Sequence, residues 1–164
     1  MATAYSVPIN AFFLRVEADR EFFNYLNLTE AQALALANQR ALGYLHEACA
    51  RIQFEAPSGS DFSDYDDVSA TFGFDMTQRE VFLVSSLMYE MYIDRDIAKL
   101  KCLSRDYTAK EMRVFDPSNA RKTLLDLYVL VCSKNQNLLE TYRDTTSSGQ
   151  WKQIDFSGLD IDAE

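Results

Sequence analysis

The residues of this chain whose types could support chemistry are a run of acids, one histidine and three cysteines. Carboxylates crowd in one segment, where Asp64 and Asp66 stand at the first and third positions of a possible calcium loop. An EF-hand also needs an acid or amide at position five, glycine at six and glutamate at twelve. This chain has Val68, Ser69 and Asp75 there, so the pattern does not predict a calcium site.

The remaining reactive side chains predict no catalytic group. His46 is the single histidine, which excludes metal sites built from two histidines, and we interpret it as structural. Cys49, Cys102 and Cys132 lie far apart without a CxxC pair, as is typical of reduced core residues in a cytosolic protein. The chain has no phosphate-binding glycine loop and no G-x-S-x-G motif. We therefore predict a protein that is not an enzyme, with no cofactor and no metal.

Charge narrows the class of partner. The net charge of −9 disfavours a general nucleic-acid binder, whose affinity comes from Lys and Arg on phosphates. The charge is also uneven, with six acids and no base in residues 53–77, and eight bases against five acids in residues 94–122. This polarity suits head-to-tail contact between subunits, but solvated faces give the same pattern, and both interpretations stay open.

Length and composition predict the organisation of the chain. With 164 residues, of which 48% are hydrophobic, it is long enough for one domain with a core, which we place at residues 1–149, followed by a tail at 150–164. Five glycines and three prolines supply few turns for a β protein. No stretch resembles a signal peptide or a membrane span. The predicted class is all-α: a small helical bundle with a long final helix and an extended C-terminal tail.

Helix starts are marked by capping residues. Thr29, Thr77 and Thr108 are each followed three residues later by Gln or Glu, which is a capping box, and Asp116 precedes Pro117 as a cap before a first-turn proline. Helices are predicted at about 30–53, 78–93, 109–115 and 117–143, with one or two short helices in 10–27 and a pattern that continues past 93 to Leu103. The predicted inner stripe of the first long helix consists of Leu34, Ala37, Ala41, Leu45, Ala48 and Ile52. Four aromatics at helical spacing are predicted in the core: Phe12, Phe22, Phe82 and Tyr128.

A long loop from Pro57 to about Asp75 is the predicted interaction segment of the body. Loops of this length without secondary structure are uncommon in compact domains unless they have a function. Its aromatics lie among acids, outside the helical pattern, and large aromatics outside a core are typical interface anchors. The candidate partner-contacting residues are Phe62, Asp64, Tyr65, Asp66 and Asp67.

The C-terminal tail is the predicted docking segment. It holds the only tryptophan, and its apolar residues alternate with aspartates at a period of two, which favours an extended strand that adds to a groove or sheet edge. The candidate docking residues are Trp151, Ile154, Phe156, Leu159 and Ile161. A solvated, disordered chain end is the alternative.

In helix order and capping, the chain resembles the small helical head–tail connector (adaptor) proteins of tailed bacteriophages. The likeness is strongest from residue 74 to 143, and a second, shorter region of resemblance lies at residues 28–31 (LTEA). Its motifs are FDMTQRE at 74–80, LMYEMY at 87–92, SRDY at 104–107 and FDPSN at 115–119. This chain departs from compact members of that family by its acidic loop and its tail.

The resemblance implies a structural virion protein at the capsid vertex, made in the host cytoplasm. By family likeness, about a dozen copies form a ring that binds the portal protein through their tails and a downstream neck or tail protein through their loops. DNA would pass through the ring without sequence-specific binding, because an acidic wall repels phosphates. No membrane contact is expected. The alternative is a cytosolic helical adaptor or regulator that binds one partner through its tail, without a ring.

Overall fold

Four helices and one small hairpin make up the part of the chain that the computed structural model describes, residues 2–17, 28–57, 60–106, 117–145 and 149–153. In residues 100–106 and 117–121 it describes the helical backbone alone. The elements in chain order are α1 (Ser6–Val16), α2 (Glu30–Glu55), β1 (Tyr65–Asp66), β2 (Thr71–Phe72), α3 (Gln78–Asp106) and α4 (Pro117–Asp144). The predicted helix at 109–115, the Thr108 cap and Phe22 lie outside the described residues.

Helix α3 is the centre of the body and packs against α1, α2 and α4. Its residues Val84, Leu87 and Met88 are fully buried, which confirms the prediction that this apolar helix is central. The helix does not end near Ile93, because the apolar pattern carries it on to Asp106. None of the described helices is both long and apolar enough to cross a membrane.

Helix α2 meets α3 through small side chains. The stripe members Ala37, Ala41, Ala48, Leu45 and Ile52 are all buried, and the alanines allow close approach of the two helices. Leu34 was expected on this stripe, but it is 51% exposed, so that prediction is wrong. It lies in the second turn of α2, whereas complete burial on the stripe begins at Ala37.

Of the aromatic residues predicted in the core, two described ones pack there and one does not. Phe12 is completely buried and Tyr128 is half-buried against the core. Phe82 is 53% exposed, so its predicted core position is wrong. It lies in the second turn of α3, where the Arg15 guanidinium covers its ring at 4.7 Å from the centroid instead of an apolar side chain.

Both described capping boxes form. The Gln32 amide N–H donates to Thr29 Oγ1 at 3.4 Å, and the Thr29 amide N–H donates back to Gln32 Oε1 at 3.0 Å. At the start of α3, Glu80 N–H donates to Thr77 Oγ1 at 3.3 Å and Thr77 N–H donates to Glu80 Oε2 at 2.7 Å. Pro117 is the first residue of α4, as its preceding aspartate predicted.

The described chain is mostly helical, but the class all-α omits a two-stranded sheet. Strands β1 and β2 pair antiparallel, with Tyr65 opposite Phe72. The N-terminal residues extend this pairing, since Phe72 N–H donates to Thr3 O at 2.8 Å and Tyr5 N–H donates to Ala70 O at 2.9 Å. The pairing joins residues about seventy positions apart, which local periodicity does not reveal.

Candidate functional site

The segment predicted as an interaction loop is folded onto the body through its aromatic residue. Phe62 is 1% exposed, and its ring lies 5.3 Å from that of Phe74 and 6.2 Å from that of Tyr142. Its amide N–H donates to Gln53 Oε1 at 3.1 Å. The expectation that Phe62 lies outside the core as an interface anchor is therefore wrong. Its apolar ring gains more from burial than the acidic neighbours in sequence suggest.

A cluster of four side chains joins the hairpin to α2 and to the N-terminus; we call it the His46 cluster (Tyr5, His46, Tyr65, Asp67). The rings of Tyr65 and His46 stack with centroids 4.9 Å apart. The Tyr5 hydroxyl donates to Asp67 Oδ1 at 2.9 Å, and His46 Nε2 lies 3.0 Å from the same oxygen without forming a hydrogen bond. Burial, followed by the bond to Asp67, raises the pKa of Tyr5. The cluster contains no activated nucleophile, and its contacts fix the position of the hairpin.

The acids of the hairpin face solvent. Asp64, Asp66 and Asp67 are exposed, and Val68 at the turn is 96% exposed. Asp66 accepts the Val68 amide N–H at 2.9 Å, and this bond, more than any other cause, lowers the Asp66 pKa. The Asp66 carboxylate therefore stabilises the turn. In the part of the chain that is described, no group of three or more His, Cys, Asp or Glu could hold a metal ion.

A shallow groove of about 380 Å³ runs between α2 and the hairpin. Tyr65 and Phe62 line it on the hairpin side, and His46 and Phe54 line it on the α2 side, where 88% of the Phe54 surface is exposed. The sequence pattern did not lead us to predict Phe54 as a surface residue. The available signal was its position two residues after Ile52, which places it about 200° around the helix from the buried stripe.

The start of the tail is held against the end of α4. Trp151 forms an antiparallel bridge with Thr145, and the Lys152 amide N–H donates to Asp144 O at 2.9 Å. The Lys152 ammonium donates to Arg143 O at 2.6 Å. Trp151 is 70% exposed, so its ring faces solvent while its backbone is fixed. The other predicted docking residues, Ile154, Phe156, Leu159 and Ile161, lie outside the described residues.

A second groove, of about 240 Å³, lies between α3 and α4 beside the tail; we call it the α3–α4 groove. Its lining is mostly apolar and includes Phe82 and Leu83 from α3 and Leu138 from α4. Arg79 stands at its edge and donates from Nη2 to Thr145 Oγ1 at 3.3 Å, next to the tail. Neither the groove nor its neighbourhood with the tail was predicted.

Glu80 is buried beside this groove, with 1% of its surface exposed, and it hydrogen-bonds to three separate parts of the chain. Its Oε1 accepts the Ser60 hydroxyl at 2.6 Å and the Tyr142 hydroxyl at 2.8 Å, while Oε2 accepts from Thr77. Burial raises the Glu80 pKa, but the hydrogen bonds lower it more, so the pKa lies below its ordinary value. One carboxylate thus joins the hairpin loop, the start of α3 and the end of α4.

Glu90 plays the corresponding role in the middle of α3. Its Oε1 pairs with Arg51 Nη1 of α2 at 2.7 Å, and its Oε2 accepts from Asn135 Nδ2 of α4 at 2.7 Å. The Cys132 thiol donates to Oε1 at 3.3 Å. A buried carboxylate with these partners fixes the register of three helices. It is enclosed by the bundle, which favours a structural role over a catalytic one.

The described cysteines agree with the expectation of reduced thiols. Cys49 and Cys132 are both free, and burial raises the pKa of Cys49 to about 12, which keeps the thiol protonated and unreactive. Cys49 is buried and Cys132 is half-buried. The Cys102 side chain lies outside the described residues.

Comparison of the chain with protein-family models, with curated proteins and with solved structures gave no match. The candidate site therefore consists of two surfaces defined by the geometry of this chain: the hairpin surface (Asp64, Tyr65, Asp66, Asp67, Val68 and the adjacent Phe54) and the tail surface (Trp151, Lys152 and the α3–α4 groove).

Proposed function

We propose that this chain is a structural subunit of a phage neck, a head–tail connector that assembles into a ring, binds the portal through its tail and extends the DNA channel. The observation that carries the proposal is the exposure of large apolar side chains on a body that already has a complete core. Contiguous exposed apolar patches mark contacts with other proteins. The proposal includes that the chain is not an enzyme.

Subunit contact is assigned to the exposed apolar residues of the helices. Leu127 and Leu130 are exposed and, three positions apart on α4, lie on one face of that helix, with Val129 exposed beside them. Leu14 of α1 is exposed as well. A cyclic ring needs two different surfaces per subunit that fit each other, so separate apolar patches on α1 and α4 suit this arrangement.

Portal docking is assigned to the tail, with Trp151 as the described anchor. A fixed backbone and a solvent-facing indole ring form a suitable interface hot spot, because the ring loses little entropy on binding. Repetition of the tail around a ring multiplies a weak contact by avidity. The remaining docking residues in this proposal are Ile154, Phe156, Leu159 and Ile161.

The hairpin is assigned to the downstream neck or tail protein and to the channel wall. Asp64, Asp66 and Asp67 are exposed on a segment whose position is fixed by the His46 cluster. Exposed carboxylates repel phosphates, so a hairpin facing the channel would let DNA slide without specific binding. The proposed location is the virion neck.

The test is co-sedimentation of the chain with portal rings of the same phage. A variant with Ile154, Phe156, Leu159 and Ile161 replaced by serine keeps the length and charge of the tail, and we expect it to lose most of its binding. The matched control replaces Asp155, Asp160 and Asp162 by asparagine and should retain apolar docking. Unchanged binding of the serine variant would remove the docking role from the tail.

Native mass spectrometry separates this proposal from the alternative of an adaptor that acts through its tail as a single copy. A connector should join the portal in a number of copies that matches the portal's own rotational symmetry or a simple fraction of it. A single copy bound to a partner without a ring would support the adaptor.

A further inference from the structure

The α3–α4 groove is an apolar surface that lies next to the last described residues of the chain. Phe82, Leu83 and Leu138 provide its apolar lining, and more than half of the Phe82 surface is exposed there. A groove of this kind is a suitable place for alternate apolar side chains of an extended peptide.

Arg79 lines this groove and Arg15 covers Phe82, and among the described residues neither arginine has an acidic partner. The Arg15 guanidinium lies over the Phe82 ring, and Arg79 hydrogen-bonds the Thr145 hydroxyl, but no described carboxylate forms an ion pair with either one. Burial lowers the pKa of Arg15, as expected for a partly desolvated cation. The groove therefore offers an apolar floor with positive charge at its margin.

The residues after Gln153 have the complementary pattern. Ile154, Phe156, Leu159 and Ile161 are apolar, and Asp155, Asp160 and Asp162 stand next to them in sequence. In an extended segment, alternate residues point to opposite sides, so Ile154 and Phe156 can enter a groove together while Asp155 remains at its margin.

The described start of the tail also runs in the direction of the groove. Because Trp151 pairs antiparallel with Thr145 and Lys152 binds Asp144, the tail runs back along the end of α4 towards Thr141 and Leu138. Leu138 lies six residues before Asp144, which is about 9 Å along a helix axis. Three extended residues span about 10 Å, so residues 154–156 are long enough to reach it.

We propose that residues 154–156 bind the α3–α4 groove of their own chain, with Ile154 and Phe156 on its apolar floor and Asp155 facing Arg79. Attachment to the end of α4 raises the effective concentration of the segment at the groove to the order of millimolar, which favours its own groove over that of a second copy. This inference concerns the free chain and stands without the connector proposal. In a connector, it would mean that the portal competes with the groove for the same apolar residues.

The experiment is disulfide trapping in the full-length chain. The variant Phe82→Cys with Phe156→Cys is oxidised under mild conditions, and peptide mass spectrometry identifies the joined cysteines. The matched control joins Val68→Cys, an exposed position on the hairpin outside the groove, with Phe156→Cys. We expect a link within one chain that forms at least about tenfold faster for the groove pair than for the control pair.

Three outcomes would overturn the inference: equal rates for the two pairs, no link at all, or a link between chains whose rate rises with protein concentration. Since Phe82 is largely exposed, its replacement should leave the fold intact, and thermal unfolding followed by circular dichroism checks this. Portal binding is measured separately on the reduced wild-type chain, so failure of the trapping leaves the connector proposal standing.

A charge reversal provides the second readout. Arg79→Glu should slow trapping of the groove pair several-fold, whereas Arg79→Lys should retain the rate, because lysine keeps the positive charge. Equal rates in the Glu and Lys variants would contradict the assignment of Arg79 to Asp155.

Discussion

The hairpin and the start of the tail are both non-helical segments with exposed side chains, yet they are held to the body in different ways. The hairpin is anchored by buried aromatics, Phe62 and Phe72, and by the hydroxyl of Tyr5. The described tail is anchored by backbone hydrogen bonds and by Lys152, while Trp151 faces solvent. The hairpin is therefore held by packing in the core, whereas the described start of the tail is held by hydrogen bonds at the surface.

The largest expected difference comes from removing one aromatic ring from each region. Phe62→Ala should cost about 3–5 kcal/mol in the free energy of unfolding, because it removes a fully buried ring from the core. Trp151→Ala should change it by less than about 0.5 kcal/mol, because an exposed ring contributes little to folding. Urea unfolding at equilibrium measures both. Similar losses for the two variants would contradict the comparison.

Glu80 joins the segment before the hairpin to the end of α4, where the tail is attached, and its replacement is expected to have the second-largest effect. Glu80→Gln should lower the free energy of unfolding by about 1–3 kcal/mol. The substitution replaces one carboxylate oxygen by an amide nitrogen, which cannot accept a hydrogen bond, and the donors Thr77, Ser60 and Tyr142 lose a charged acceptor. The folded pKa of Glu80 is lowered, so its carboxylate stabilises the fold above its unfolded pKa, and this contribution is lost as the pH falls through the folded pKa. Below about pH 5 the wild type should therefore lose stability more steeply than the glutamine variant. Parallel pH profiles, with the exposed Glu47→Gln as control, would contradict this role.

Gly149 controls the tail alone. Its φ of +83° is unfavourable for alanine, so Gly149→Ala should weaken the return of the tail by about 1 kcal/mol without changing global unfolding. Hydrogen exchange of the Lys152 amide should become about fivefold faster, which corresponds to that free energy. Gly43→Ala is the control, since a Cβ there meets nothing within 4 Å. An unchanged exchange rate at Lys152 would show that the tail does not depend on this turn.

Ala70 gives the smallest expected effect, on the hairpin. It has a φ of +52°, a left-handed conformation that costs alanine more than glycine. Ala70→Gly should stabilise the chain by about 0.5 kcal/mol, because relief of the strain exceeds the added flexibility of the unfolded chain. A shift of the urea midpoint to higher concentration would confirm this, and a lower midpoint would contradict it.

The helical body could be predicted because its signals are local. Thr29 and Thr77 cap their helices, Pro117 begins α4, and the alanine stripe of α2 is buried. The hairpin could not be predicted, because its two short strands depend on pairing with Thr3 and Tyr5, about seventy residues away. Phe62 was assigned to the surface from its acidic neighbours, whereas its burial depends on Phe74 and Tyr142 from other elements.

In the candidate site, too, features with local signals could be predicted, whereas features that depend on the packing of separate elements could not. Asp64, Asp66 and Asp67 are exposed, as their charge favours, and Trp151 is exposed, as its place in the tail favours. The α3–α4 groove was missed, because a groove arises from the relative placement of two helices and not from the pattern of either one. Phe82 illustrates this, since helical spacing predicted burial but its ring lies at the open edge between α1, α3 and α4. Phe54 was missed although its position opposite the buried stripe of α2 was a local signal.

Electron microscopy of the purified chain mixed with portal rings, its proposed partner, tests the central claim most directly. The connector account predicts an additional ring of density on one face of the portal, with a central channel that continues the portal's own. Portal rings that remain unchanged at a large excess of this chain would contradict the account.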